Sequence, residues 1–340
     1  MTDPGDTRLR WIVAAALAAA GFVAWWTVAP FGQGLLAEVA IFAVFAMAVD
    51  LAAGVIGLMS IGHAMYFGLG AYGVALLTTQ AGLPPGAAIL LAVAATFCIA
   101  LLVGAVIVRF DEIIFIILSL ALSEMFYSFI FANRSVGGSD GIPGVPRVDL
   151  RVLGLDIAEP STFAAATLLG AVAVFVALDL LVRSPFGLIA VAVRQNATRA
   201  RALGTPINRV RSVTYALSAA IAALAGAAMA ELNGFVSPDL ASWTMSGLVL
   251  IMAILGGLGS ISGAALGAVI VQTASHFMAR WTGYWAFYLG LIFVTVVLFA
   301  ENGIFALLRR AAAAMMRPRS GARADGEPTA ASPAPTRSGE

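Results

Sequence analysis

The chain has 340 residues, of which 61% are hydrophobic and only 11% charged, and its formal net charge is +1. Soluble domains have roughly half apolar and a quarter charged residues, so this composition excludes an ordinary soluble enzyme and indicates a polytopic membrane protein. All 19 basic residues are arginine. Without lysine the phosphate-binding loop G-x-x-x-x-G-K-[ST] cannot form, so any ATP hydrolysis that drives this chain is expected on a separate subunit.

The residues that usually form metal or redox sites are scarce. The single cysteine, Cys98, lies in an apolar run, and the two histidines are far apart in the sequence. One cysteine cannot form an internal disulfide, and this spacing does not suggest a metal site. We therefore expect no metal, no cofactor, no catalytic residues and no nucleic-acid partner.

Apolar segments follow one another along most of the chain. Residues 1–10 are polar, with Arg8 and Arg10 directly before the first segment, which predicts a cytoplasmic N-terminus and an uncleaved first helix. Seven segments precede residue 242, at 11–29, 35–56, 61–80, 86–108, 113–132, 161–182 and 212–231. Residues 242–300 predict three more, broken at Gly256–Gly263 and near Gly283, because only an even total returns the terminal arginines to the cytoplasm.

These segments predict an all-α integral membrane protein. Residues 11–308 are expected to form about ten transmembrane segments, with both termini in the cytoplasm. The connection 133–160 is rich in glycine, proline and acid and is predicted to lie outside the cell. The connection 183–211 has six arginines and no acid and is predicted to lie in the cytoplasm. Residues 309–340 should form a cytoplasmic tail that is disordered from about residue 317.

The cytoplasmic connection has the pattern of a short amphipathic helix. Apolar side chains recur at steps of three and four at Phe186, Ile189, Val193, Ala197 and Ala200. Arg194, Thr198 and Arg201 fall on another face, and Gly204 predicts the end of the helix. Such a helix either rests on lipid head groups or contacts a partner protein, and the pattern alone leaves both readings open.

Ionisable residues inside apolar segments are the candidates for a transport pathway, because a charge at mid-bilayer costs roughly 2.5 to 3.5 kcal/mol. An eight-residue sequence also recurs, since Gly57–Ala64 and Gly257–Ala264 agree at five of eight positions. Glycine-interrupted repeats surround binding sites in many transporters, although the same glycines also serve close helix packing. The candidate pathway residues are Asp50, Ser60, His63, Ser123, Glu124 and Ser260. The alternative for Asp50 and Glu124 is a structural role, protonated or hydrogen-bonded between helices.

Several stretches of the sequence, in the order expected for the family, resemble the M-type permease of branched-chain amino acid importers of the ABC class. This permease belongs to the branched-chain amino acid and urea permease family. The resemblance covers residues 48–310 and is strongest at 57–77, 137–146, 204–226 and 234–267. It implies the architecture of an ABC-importer permease in the bacterial inner membrane. Its implied partners are a second homologous permease, two ATP-binding subunits and an extracytoplasmic solute-binding protein. It further implies that the ATP-binding subunit is contacted by Arg194, Ala197, Arg199, Ala200, Arg201 and Gly204.

The implied solute is a branched-chain amino acid, with urea-like amides and other small organic acids as alternatives. Asp50 stands where members of this family often have asparagine, and Phe110–Glu112 departs from the usual basic and aromatic approach to the fifth segment. These departures bear on the identity of the solute and not on the expected architecture of an ABC importer. A less favoured alternative is a proton-driven secondary transporter that uses Asp50 and Glu124, which would have no use for an ATPase-binding helix.

Overall fold

The computed structural model describes residues 4–27, 30–148, 159–281, 283–299 and 303–307. The predicted tail 309–340 and residues 149–158 of the predicted external loop lie outside this described part. Within it, the chain is helical except for turns and one antiparallel pair of two-residue strands, β1 (Ile142–Pro143) and β2 (Phe235–Val236). The predicted all-α class is confirmed for these residues.

The α-helices follow the predicted segments closely. They are α1 (Pro4–Thr27), α2 (Pro30–Asp50), α3 (His63–Thr79), α4 (Pro85–Ile107), α5 (Glu112–Ala132), α6 (Pro160–Arg183), α7 (Pro185–Gln195), α8 (Ala197–Ala202), α9 (Ile207–Asn233), α10 (Trp243–Gly256), α11 (Ile261–Trp281) and α12 (Trp285–Phe299). Each of the predicted apolar segments lies in a helix of its own. The predicted breaks at Gly256–Gly263 and near Gly283 separate α10, α11 and α12.

Among the described residues, six helices are long and apolar enough to cross a membrane. They are Gly32–Ile56, which covers most of α2 and continues beyond it, and Pro85–Ile107, Glu112–Ala132, Pro160–Arg183, Ile207–Asn233 and Ile261–Trp281. The chain is therefore a multi-pass membrane protein. Helix α2 is almost wholly buried, whereas α4, α5 and α6 expose most of their apolar surface. Such surfaces are stable only against lipid or another protein, since exposed patches of this size are rare in water.

Helices α3 and α9 form the centre of the bundle, and glycine makes their close approach possible. A Cβ atom at Gly70 would lie 2.0 Å from the Ala223 carbonyl oxygen, and a Cβ at Gly226 would lie 1.9 Å from the Phe67 carbonyl oxygen. The two backbones therefore touch at two points one helical turn apart on each helix. Small residues serve this purpose in membrane helices, where close packing rather than the hydrophobic effect holds helices together.

The connections between helices collect at two ends of the bundle. At one end, which we call the basic end, α7 packs against the π-helix Leu51–Ile56 that continues α2, and Gly303 lies against Gly257 in the turn after α10. At the opposite end, β1 pairs with β2, and the Gln80 side chain donates a 3.1 Å hydrogen bond to the Ser135 carbonyl. The chain therefore alternates in direction from α2 to α6 and again from α9 to α11.

Candidate functional site

The two copies of the repeated sequence form two helix breaks of similar design. Helix α2 continues into a π-helix, Leu51–Ile56, which ends at Gly57 with φ +80°, and α3 starts six residues later. Helix α10 ends before Gly257, with φ +114°, and α11 starts at Ile261. Glycine accepts such positive φ values without steric cost, and other residues do so rarely. We call residues 57–62 the first turn and residues 257–260 the second turn.

A buried carboxylate joins the end of α2 to the second turn. Asp50 is fully buried, and its Oδ1 accepts a 2.7 Å hydrogen bond from the backbone N–H of Gly259. A Cβ atom at Gly54 would lie 2.0 Å from the same Oδ1 and 2.3 Å from the Gly259 nitrogen. Only glycine leaves room for this contact. The Asp50 side chain therefore has a structural bond, one of the two alternatives that the sequence left open.

Serine hydroxyls bond the backbone N–H groups next to both turns. Ser60 Oγ accepts from the Gly62 N–H at 3.2 Å, and Ser260 Oγ accepts from the Gly263 N–H at 3.3 Å. Ser246 Oγ, on α10, accepts a 2.8 Å bond from the Ala64 N–H at the start of α3. These bonds serve N–H groups that have no partner inside their own helix. Sequence reasoning missed Ser246, because its partner is 182 positions away.

His63 is held between α3 and α9. Its Nε2 lies 2.8 Å from Ser218 Oγ, and the Ser218 hydroxyl donates a 2.6 Å bond to the Ala48 carbonyl. Because that hydroxyl hydrogen is already used, the His63 Nε2–H is the donor to Ser218, and Nδ1 is left as an acceptor. Nδ1 is buried without a hydrogen-bond partner among the described residues. The imidazole ring also meets the Tyr215 ring edge to face, at 5.4 Å between centroids.

The other two candidate pathway residues lie apart from the turns, on α5. Ser123 is fully buried and its hydroxyl donates a 3.2 Å bond to the Ala241 carbonyl, in the connection between α9 and α10. Glu124 is half-buried, and its Oε1 is buried without a hydrogen-bond partner in the described part of the chain. The structure thus places Asp50, Ser60, His63 and Ser260 at or beside the two turns but Ser123 and Glu124 elsewhere. No cluster of metal-ligating side chains occurs among the described residues.

The basic loop, residues 183–211, contains two short helices before α9 rather than the single amphipathic helix that the pattern predicts. Helix α7 ends at Gln195, and Asn196 caps α8 by accepting a 2.8 Å bond from the Arg199 N–H. Asn196 has φ −159°, an extended conformation that breaks the helix. Asparagine is a favoured N-cap residue, which is the signal that the periodicity argument overlooked.

The buried face of α7 differs in part from the apolar face that the pattern predicts. Gly187, Ala190 and Val193 are the buried residues of α7, whereas Leu188 is 57% and Ile189 42% exposed. Ala200 is only 6% exposed and packs in the hydrophobic core. Ala200 is therefore an interior residue of this chain. The exposed candidates of the loop are Arg194, Arg199, Arg201 and Gly204, with Ala197 half-buried.

Arg194 connects the basic loop to both turns. Its Nη1 donates a hydrogen bond to the Gly54 carbonyl. A Cβ at Gly57 would lie 3.0 Å from Arg194 Cγ, and a Cβ at Gly259 would lie 3.0 Å from Arg194 Nη1. The resemblance implies that Arg194 contacts the ATP-binding subunit; in the structure the residue is exposed, and its guanidinium also bonds within this chain. Asp179 and Arg183 form a separate ion pair at the end of α6, with 2.8 Å between Nε and Oδ2.

Comparisons with known proteins agree with this architecture. Residues 33–300 match the family described as branched-chain amino acid transport system, permease component. The chain is 26% identical over 294 residues to the high-affinity branched-chain amino acid transport system permease protein LivM of Salmonella typhimurium, an alignment that covers 79% of this chain and 68% of that protein. LivM of Escherichia coli is 26% identical over 298 residues, with the same coverage.

A shorter alignment joins the chain to a second permease. LivH of Salmonella typhimurium, named as a permease protein of the same kind of system, is 34% identical over 100 residues, which are 29% of this chain and 32% of LivH. No solved structure matches the chain. Since the family match spans most of the sequence, the chain belongs to the family of permease components of branched-chain amino acid transport systems.

Proposed function

We propose that this chain is the membrane-spanning permease subunit of an ABC importer that moves branched-chain amino acids into the bacterial cell. Its relatives LivM and LivH are permease proteins of such transport systems, and its helices have the length and composition for a bilayer. The proposed assembly contains a second homologous permease, two ATP-binding subunits and an extracytoplasmic solute-binding protein. We place it in the inner membrane, with ten spans and both termini in the cytoplasm.

The observation that carries the proposal is the link from the basic loop to the helix breaks. Arg194 bonds Gly54 and lies against Gly57 and Gly259, so a displacement of the loop is transmitted to both turns. The outer side of the same loop exposes Leu188, Ile189 and, at 82%, Leu203. Exposed leucines among arginines are typical of a protein interface. We assign this outer surface to the ATP-binding subunit.

We assign the solute pathway to the interior of the bundle, around the two turns. Ser60, His63 and Ser260 lie at or beside the turns, and Glu124 has a buried oxygen without a partner in the described part of the chain. A carboxylate in an apolar segment is costly unless it faces a cavity or a partner, so Glu124 is assigned to the pathway or to the surface shared with the second permease. Asp50 is assigned to the support of the second turn.

Reconstitution tests the proposal directly. Vesicles that contain this chain with the second permease, the ATP-binding subunits and the binding protein should accumulate labelled leucine only when ATP is present. Vesicles with this chain alone should accumulate none. Leucine uptake by the chain alone under a proton gradient would replace the proposal by a secondary transporter. Competition by valine and isoleucine, with urea and short organic acids as controls, identifies the solute class.

A further inference from the structure

An apolar cavity of ≈ 240 Å³ lies between α2, α6 and α9, away from the two turns. Along α6 it is lined by Phe163, Thr167, Gly170 and Val174, which share one face of that helix. Residues 163 and 174 are about 16 Å apart along the helix axis at 1.5 Å per residue. The cavity is therefore elongated along the direction of the helices. That length is close to the roughly 15 Å of one leaflet of a bilayer core.

One charged group, Glu231, lines the apolar cavity at the end of the bundle opposite the basic loop. Glu231 is 5% exposed, and its carboxylate accepts a hydrogen bond from the backbone of Val148. Its Oε1 is buried and has no hydrogen-bond partner among the described residues. A buried carboxylate oxygen without a donor is unfavourable, so the site favours a ligand that brings a hydrogen-bond donor.

A positive charge stands beside this carboxylate. Arg147 donates hydrogen bonds from Nε to the Glu231 carbonyl at 3.2 Å and from Nη2 to the Leu232 carbonyl at 3.3 Å. Its guanidinium lies 4.8 Å above the centre of the Phe163 ring, which also lines the cavity. Arg147 further lines a neighbouring recess of ≈ 220 Å³ together with Phe163. A negative group that lines the cavity and a positive group next to it therefore lie at the same end of the bundle.

We propose that this cavity binds a phospholipid whose head group carries a primary ammonium, such as phosphatidylethanolamine. One acyl chain fills the apolar cavity, the ammonium donates to Glu231 Oε1, and the phosphate lies on the side of Arg147. A choline head group has no N–H to donate, and a glycerol head group brings no positive charge, so neither satisfies the carboxylate equally well. The elongated shape favours an acyl chain over a compact amino acid.

Lipid titration followed by native mass spectrometry tests the head-group assignment. The full-length chain, stripped of lipid in detergent, is titrated with phosphatidylethanolamine, phosphatidylcholine and phosphatidylglycerol that have identical acyl chains. Phosphatidylethanolamine should bind about tenfold more tightly, the effect of one charge-assisted hydrogen bond. Glu231→Gln should bring its affinity down to that of phosphatidylcholine. Equal affinity of the wild-type chain for all three lipids would overturn the assignment.

A cavity-filling substitution tests the place of binding. A Cβ at Gly170 meets no atom within 4 Å, so Gly170→Leu fills the cavity without a clash on the backbone and should abolish phosphatidylethanolamine binding. The matched control is Gly247→Leu on α10, where an added Cβ also meets nothing within 4 Å, and it should bind lipid as the wild type does. Unchanged binding by Gly170→Leu contradicts the proposal. A second outcome would also contradict it. If labelled leucine binds the wild type and displaces the lipid but does not bind Gly170→Leu, the cavity is a solute site. If Gly170→Leu does not fold, the Glu231→Gln comparison decides.

Discussion

Asp50 accepts a 2.7 Å hydrogen bond from the backbone of Gly259, a residue 209 positions later in the chain. The bond runs from the residue that ends α2 to the turn between α10 and α11. It therefore ties the end of α2 to the second copy of the repeated sequence inside the bundle, where Asp50 has no exposed surface. Arg194 bonds the Gly54 carbonyl within the same contact.

Substitution of Asp50 separates the acceptor role from the charge. Asp50→Asn keeps a carbonyl oxygen for the Gly259 N–H and should change the free energy of unfolding by about 1 kcal/mol or less. Asp50→Leu leaves that N–H buried without an acceptor and should cost about 1–3 kcal/mol. Thermal unfolding of the purified chain in detergent provides the measurement. Equal loss of stability for both variants would mean that the charge, and not the acceptor, is essential.

The close crossing of α3 and α9 predicts that the stability of the chain depends strongly on the glycine at position 226. In Gly226→Ala the new Cβ would lie 1.9 Å from the Phe67 carbonyl oxygen, so the two helices must separate. We expect a loss of about 1–3 kcal/mol, as for other overpacked sites. Gly247→Ala is the control, since its Cβ meets open space. The two melting temperatures are compared directly, and equal values would contradict the close helix contact.

The exposed side of the basic loop is tested by a charge placed at its most exposed leucine. Leu203 is 82% exposed, so Leu203→Glu should leave the stability of the isolated chain within about 0.5 kcal/mol of the wild type. In the assembled importer it should release the ATP-binding subunit, because an apolar contact becomes a buried charge. Phe110→Glu, at an exposed site between α4 and α5, is the control. Normal copurification of the ATP-binding subunit with Leu203→Glu would favour a loop that rests on lipid.

Glu124 offers a test of the solute pathway. Glu124→Gln removes the charge but keeps the size of the side chain, so the assembly should purify normally while the rate of leucine uptake changes by about tenfold. Met125→Gln is the control, because Met125 is the next residue and is 63% exposed. The rates are measured in vesicles with the full set of partners. Failure of Glu124→Gln to assemble would show instead that Glu124 has a structural role.

The basic loop illustrates what periodicity can and cannot predict. The arginines and the spacing of apolar residues in 183–211 predicted helix outside the apolar segments, and α7 and α8 are found there. The pattern did not predict the break at Asn196, and it placed Ile189 on the apolar face, whereas Ala190 is the buried residue. A shift of one residue turns a helix by about 100°, which is enough to exchange an exposed position for a buried one.

The sequence by itself determined the helices, their order and the family, because long apolar runs, arginine placement and glycine-serine motifs are local properties of the chain. Only the tertiary structure decided which residues meet. Asp50 with Gly259, His63 with Ser218 and Arg194 with Gly54 are pairs more than 100 positions apart, and no local pattern encodes them. Their physical cause is helix packing, in which glycine lets backbones approach and each buried polar group must find a partner wherever a neighbouring helix supplies one.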